Sequence, residues 1–319
     1  MQRRHLLSVA AASLLPGIVI AQSQPLRLVV PFPPGGATDV TARLLIEPLA
    51  RLLGQPVMVE NRAGAGGSIG MSEVAKSAPD GLTFGMATLS THGVNPAVYK
   101  KLSYDPVKDF VPVTEIVKAP GVLLINASLP VKNMAEFIAY LKANPAKVMY
   151  ASPGNGTIGH MWGELFKSTT KTFMLHIPYR GAGPAMNDLL AGQVMVAFDQ
   201  VASALPHIQS GKLRALAVSW SKRLDVLPNV PTYAEAGLPT KNDPSWFGIV
   251  APAGTAAPAV VRVQGAVAKA LQEAPVRERL AALGLFPSGS TSVAFGAQIV
   301  KEIDKMKRIS EFAKINLDT

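Results

Sequence analysis

Five histidines, 21 acidic residues and no cysteine are the stock from which any reaction centre in this chain is drawn. Without cysteine there is no thiolate nucleophile, no thiolate metal site and no disulfide framework. His160 and Glu164 stand four apart and share a face if their segment is helical. Two ligands fall short of the three that zinc generally takes, so His92, His160, His176 and His207 are read as structural in any metal role. Ser168-Thr169-Thr170-Lys171 has the SxxK spacing, but the SDN and KTG partners are missing. The glycines at 64, 66, 67 and 70 depart from the dinucleotide spacing. Ala87-Thr88 stands where a dinucleotide-binding unit ends its next strand in an acid. HExxH and the phosphate-binding GxxxxGK[ST] are absent. Catalysis has little to stand on, and no metal or cofactor is expected.

What the residues do offer is a place for an anion. Pro31 to Asp39 reads PFPPGGATD, between an apolar run at 26–30 and a helically spaced segment, Val40, Leu44, Leu45, Leu49, Leu52 and Leu53, closed by Gly54. Gly35 and Gly36 let the backbone turn sharply and approach another group closely. The first amides of the following helix have no intrahelical partner, and its dipole favours a negative charge there. No lysine, serine or cysteine sits in the loop, so it holds rather than reacts. Asp39 is read as a first-turn acid facing free amides, because a carboxylate aimed at an anion would repel it. Pro48 inside the helix is expected to kink or briefly break it.

The rest of the chain repeats the alternation of strand and helix. Strands are expected at 55–60, 82–88, 118–126, 148–151, 173–178, 194–198, 213–219 and 245–251. Helices are expected at 133–143, 158–171, 202–211 and three places after 257. Residues 90–96 read as a polar loop, and 221–244, rich in proline and glycine, as a connection. This grammar means an α/β protein with mostly parallel sheets, whose ligands sit in strand-to-helix loops. Asn61 to Gly70 is a second glycine-rich turn, and a third glycine loop, Ser152 to Thr157, follows a strand as the first does. Two lobes, each offering such a loop, would close on one anion from both sides.

The chain's 319 residues exceed one typical core. Arg3 and Arg4 followed by apolar residues 6–20, with short residues at Val19 and Ala21, form an export signal cleaved before Gln22. Arg3-Arg4-His5-Leu6-Leu7 also resembles a twin-arginine signal, so either route leads out of the cytoplasm. Removing 1–21 lowers the net charge of +10 by two arginines to +8. The basic residues are scattered, which gives a mild attraction for anions rather than a nucleic-acid surface.

Several stretches together resemble the Bug family of periplasmic solute-binding proteins, the receptors of tripartite tricarboxylate transporters. They are PFPPGGATD (31–39), GQPVMVENRAGAGGSIG (54–70), PDGLTF (79–84), YASPGNGTIGHMWGELF (150–166), IPYRGAGPAMNDLLAGQV (177–194), LPNVPTYAEAGLP (227–239) and APAGT (251–255). The resemblance implies a two-lobed Venus-flytrap fold, type II-like, with the ligand cleft between the lobes. Lobe 1 would take 22–125 plus 223–319, and lobe 2 would take 126–222. It implies a monomeric receptor for a small carboxylate (di- or tricarboxylate, amino acid or aromatic acid) that serves membrane transporter subunits.

Carried onto this chain, Phe32, Gly36, Ala37 and Thr38 would hold the proximal carboxylate. Ser152, Asn155 and Thr157 would face it from the other lobe, and Thr88, Ser90 and His92 would line the cleft. Tyr179 and Asp199 would read the far end, although Asp199 serves equally as a cap for the helix at 202. Arg180 is read as structural. The competing classes are a hydrolase or isomerase of carboxylic acids, using His92 or His160 as base and Asp199 as orienter, and a sensor for a membrane signalling protein.

Overall fold

The computed structural model describes residues 24–238 and 243–317, so the export signal expected over 1–21 lies outside them. Strand β1 (Leu26–Val30) is buried on both faces: Leu28 and Val30 join one core, Val29 the opposite one. That is why it reads as a continuous apolar run rather than an alternating one. Helix α1 (Ala37–Leu53) follows and buries Leu45, Leu49 and Leu53. It stops at Gly54, whose φ of 62° is left-handed. The helix runs through Pro48 without the break expected there. The ring removes a single backbone bond, and Leu45 and Leu49 on either side hold the helix to its core.

Strands β2 (Val57–Asn61) and β3 (Thr83–Thr88) flank β1 in parallel, with helix α2 (Ser68–Ala75) between them in sequence. Residues 90–96, expected as a polar loop, form a π-helical turn (Ser90–Val94) running into α3 (Asn95–Val98). All of the turn is buried. Several of its polar groups find partners inside: Thr91 Oγ1 accepts from Thr88 N at 3.0 Å, and the Tyr104 hydroxyl donates to the Thr91 carbonyl at 2.5 Å, while His92 Nε2 has no partner among the described residues. Internal satisfaction of this kind is invisible to a polarity pattern.

The strand expected at 118–126 is two strands divided by Pro120. Strand β4 (Phe110–Ala119) belongs to the first sheet and β5 (Gly121–Asn126) to the second. The crossing between lobes therefore lies at Pro120 rather than after 125. The second lobe continues through α4 (Met134–Ala143), β6 (Met149–Ser152), α5 (Ile158–Thr170), β7 (Leu175–Pro178), α6 (Ala182–Leu190), β8 (Val196–Gln200), α7 (Val201–Gln209) and β9 (Leu213–Val218). The 221–244 connection is also more than a link. Leu224, Leu227 and Val230 pack into one of this lobe's cores, Tyr233 and Leu238 into the other, so the lobe extends beyond 222. The chain returns through β10 (Ser245–Pro252), α8 (Ala257–Ala270), α9 (Ala274–Ala282), β11 (Phe286–Pro287) and α10 (Ser292–Ala313).

Strand orders are β11-β4-β10-β3-β1-β2 and β7-β6-β8-β5-β9. The fold is α/β and two-lobed, but the sheets are mixed rather than mostly parallel. β10 runs antiparallel to both β3 and β4, and β5 to both β8 and β9. Each of these strands lies at a crossing between the lobes: β5 leads into the second sheet and β10 returns to the first. The two crossings lie side by side, with Ala119 paired to Ser245 where β10 meets β4; within the second lobe Gly121 N donates to Ser219 Oγ at 2.7 Å, and Ser219 N to the Gly121 carbonyl at 2.9 Å. No helix among the described residues is long and apolar enough to cross a membrane.

His92 sits in the first lobe's core, fully buried, with ring centroids 4.9 Å from Phe110 and 6.1 Å from Tyr104. Its Nδ1 meets Thr91 Oγ1 at 3.0 Å. Burial pushes its pKa down to about 3. The folded state therefore refuses a proton that the unfolded chain accepts near the ordinary value of 6.5. Stability is complete above that pH and falls on acidification through the window from 6.5 to about 3. This one group contributes a slope of about 1.4 kcal/mol per pH unit. Denaturant midpoints measured across that range should show the loss, and His92→Phe should reduce the slope by about that amount; an equal slope in the variant would contradict this account.

Candidate functional site

The start of α1 is built as the loop sequence requires. Gly35 takes φ +87°, a conformation that other residues rarely adopt, and Gly36 is the N-cap residue in extended conformation. No side chain caps this helix, so its first-turn amides stay open to a ligand. Asp39 is turned away and neutralised. Its carboxylate accepts from Gly35 N at 3.0 Å, Arg43 Nε at 2.9 Å and Asn61 Nδ2 at 2.8 Å. Burial alone would raise its pKa; these bonds and the Arg43 charge outweigh that and hold it below the ordinary value. The same Asn61 amide donates to the Phe32 carbonyl at 2.9 Å, which fixes the loop to the end of β2.

The second lobe meets this start with Thr157, the N-cap of α5, whose side chain accepts from His160 N. Across the seam Ser90 Oγ accepts from Ile158 N at 3.0 Å, and the Tyr99 hydroxyl donates to the Asn155 carbonyl at 3.1 Å. A Cβ placed on Gly181 would lie 2.5 Å from Pro33 Cγ, and one on Gly66 2.6 Å from the Asn155 carbonyl oxygen. The lobes are thus closed on each other, with glycine at the tightest approaches.

Between them lies a cavity of about 30 Å³. Phe32, Pro33, Gly36, Ala37, Thr38, Thr88, Ser90 and Phe247 line it from the first lobe, and Pro153, Thr157, Ile158, Ala182 and Gln200 from the second. The helix starts of α1, α5, α6 and α7 border one space, so four positive helix ends converge there. No charged side chain lines it. The volume is that of roughly two waters, so entry of an organic acid requires the lobes to part.

Seven expected residues line the cavity: Phe32, Gly36, Ala37, Thr38, Thr88, Ser90 and Thr157. Asn155, Tyr179 and Arg180 lie outside it, on a groove at the cleft mouth. The Tyr179 hydroxyl is engaged there by Asp188 at 2.7 Å. His92, Ser152 and Asp199 are displaced from the cavity. His92 is consumed by the core. Ser152 is buried behind its loop, where Oγ lies 2.7 Å from His176 Nε2 and accepts from Gly154 N. Asp199 Oδ1 accepts from Gln200 N at 2.8 Å at the start of α7, and burial pushes its pKa up to about 6.

The sequence reading missed Pro33, Pro153, Ile158, Ala182, Gln200 and Phe247. The first five lie inside or beside the loops already singled out. Phe247 carries no local signal, because only the insertion of β10 between β3 and β4 brings it to the cavity.

One catalytic spacing also escapes that reading: Gly66-Gly67-Ser68-Ile69-Gly70 has the GxSxG form of a nucleophile elbow. Ser68 Oγ donates to the Ala65 carbonyl at 2.8 Å, on an exposed helix start. It does not line the cavity.

A family model described as "Tripartite tricarboxylate transporter family receptor" matches residues 41–317. Protein BugT of Bordetella pertussis is 40% identical over 284 residues, covering 89% of this chain and 87% of BugT. The structure of Rpa4515 from R. palustris with adipate superposes with a TM-score of 0.89 at 35% identity, covering 92% of this chain and 98% of that one. MatC from Rhodopseudomonas palustris with bound malate gives 0.86 at 37% identity, covering 89% and 98%. The fold, the closed cleft and these matches converge: the chain belongs to the tripartite tricarboxylate transporter receptor family, the Bug-type solute-binding proteins.

Proposed function

We propose that this protein is a periplasmic receptor that captures a small carboxylate between its lobes and delivers it to the membrane subunits of a tripartite transporter. The observation that carries the reading is the uncapped start of α1, with its own acid locked away, at the floor of a cavity without charged side chains. A carboxylate seated there gains from amides and hydroxyls already in place, so little ordering is needed on binding. Ala37 and Thr38 supply the helix-start amides. Thr88 and Ser90 present hydroxyls from the first lobe and Gln200 an amide from the second, while the Thr157 hydroxyl is spent on the Gly154 carbonyl. The adipate and malate bound by the two relatives support this ligand class. The lining's hydroxyl, amide and apolar groups support capture over catalysis, because a hydrolase or isomerase needs a base beside the ligand. Export through the N-terminal segment and action as a monomer complete the proposal.

Thermal unfolding against di- and tricarboxylates, acidic amino acids and aromatic acids tests it, after stripping any co-purified ligand by refolding. A ligand at 100 times its Kd should add about 2.7 kcal/mol, a rise of several degrees or less. Gly36→Val, whose side chain would fill the space before Ala182, should abolish the rise while the protein still unfolds cooperatively. Silence toward every carboxylate would overturn the reading.

Closure is separately testable at the seam. Gly181→Ala places a methyl group against Pro33 and strains a backbone at φ +111°. It should cost about 1 kcal/mol of stability and weaken ligand affinity at least tenfold. Small-angle scattering should show ligand-induced compaction in the wild type and none in the variant. Equal compaction in both would show that this contact does not limit closure.

A further inference from the structure

Three rings form a column behind the loop at residues 152–157. Tyr150 stacks on His176 with centroids 4.7 Å apart and planes at 22°, and His176 stacks on His160 at 4.2 Å and 9°. Both ends of the loop are bonded to this column. Ser152 Oγ lies 2.7 Å from His176 Nε2, and Gly156 N donates to His160 Nδ1 at 3.4 Å. The loop is then folded on itself: Gly154 N donates to Ser152 Oγ at 3.2 Å and Thr157 Oγ1 to the Gly154 carbonyl at 2.7 Å. Its outer side carries Pro153 and Thr157 into the cavity and Asn155 to the mouth.

We propose that His176 and His160 are a coupled pair of positioning residues for ligand capture: stacked and both uncharged, they hold loop 152–157 in its binding shape, and a proton on His160 Nδ1 releases it. The inference rests on the carboxylate-receptor reading of the cavity and adds a control element to it.

The geometry sets the protonation requirement. His160 Nδ1 accepts the Gly156 amide only while it carries no proton. Two imidazolium rings 4.2 Å apart would repel each other. The charged groups facing the column are Glu164 and Lys167, both from α5. Glu164 accepts from the Tyr150 hydroxyl at 2.6 Å and from Lys167 Nζ at 2.8 Å, so most of its charge is already answered. Lys167 Nζ also stands 5.8 Å from the Tyr150 ring centroid. Burial is the largest influence on both rings, lowering His160 to about 4 and His176 to about 3. For His160, Glu164 opposes that fall and Lys167 adds to it; for His176, His160 and Lys167 both add. Folded values below the ordinary 6.5 mean that the ordered loop is complete at neutral pH and is lost as pH falls through the acid range.

Hydrogen exchange of the full receptor without ligand tests the pair, read as protection factors at the Gly154, Gly156 and Thr157 amides. His176→Phe keeps a ring in the stack but removes the bond to Ser152. It should lower those protection factors at least tenfold and leave β8 and the unfolding midpoint near wild type. Wild type should lose the same protection between pH 6 and pH 4, and the variant should show a smaller pH step. Ser152→Ala removes the bond from the loop side and serves if the phenylalanine variant does not fold. Unchanged loop protection in the variants, or a flat wild-type profile down to pH 4, would overturn the proposal. A wild type silent toward all carboxylates would instead strike the receptor reading, which this exchange experiment does not use.

Discussion

A helix start left open at the bottom of a closed cleft is the constraint on which the other features depend. An anion held without a cationic side chain must take its stabilisation from backbone amides and helix dipoles, and those work best where water is excluded. The start of α1 must therefore stay uncapped, which Gly36 permits, and the chain must turn sharply into it, which Gly35 performs at φ +87°. An acid in the first helical turn would spoil such a seat if it faced the ligand. Asp39 instead folds back under the loop, and its three partners convert a repulsive charge into a brace between the loop, α1 and β2.

The second requirement is that two lobes meet closely enough to exclude water and still separate. The short crossing at Pro120 and the return at β10 lie side by side, with Ala119 paired to Ser245, so relative motion has a narrow pivot. At the seam, backbone and small residues do the touching. Pro33 packs where Gly181 has no side chain, and Ser90 completes the start of α5 from the opposite lobe. Contacts of this kind are short-ranged and few, so they favour the closed form without making it irreversible.

The lobes divide the work unequally. The first supplies a rigid floor, with a buried turn at 90–94 in which Thr91 bonds Thr88, His92 Nδ1 and Tyr104. The second supplies a loop whose shape is enforced from behind by the His160 and His176 rings and by Ser152. Its cavity-facing surface is made of Pro153, Thr157, Ile158, Ala182 and Gln200.

Local sequence carried much of this. The strand, proline–glycine loop and helix at 26–53 were legible because an apolar run, a glycine pair and a helical repeat each have one inexpensive backbone solution. The anion seat followed from that order, and so did the role of Asp39, since a first-turn acid with free amides nearby has an obvious partner. What local patterns could not carry was which side of a loop a polar group faces. Ser152, Asp199 and His92 are the right types at the right loops, yet each is turned inward to satisfy buried backbone or neighbouring side chains. Likewise Phe247 enters the cavity, and the sheets become mixed, only because strands return from the other lobe. Sequence determined the loops and their chemistry; tertiary structure decided which of their side chains face the cleft, because burial leaves each polar group only the partners that packing brings within reach.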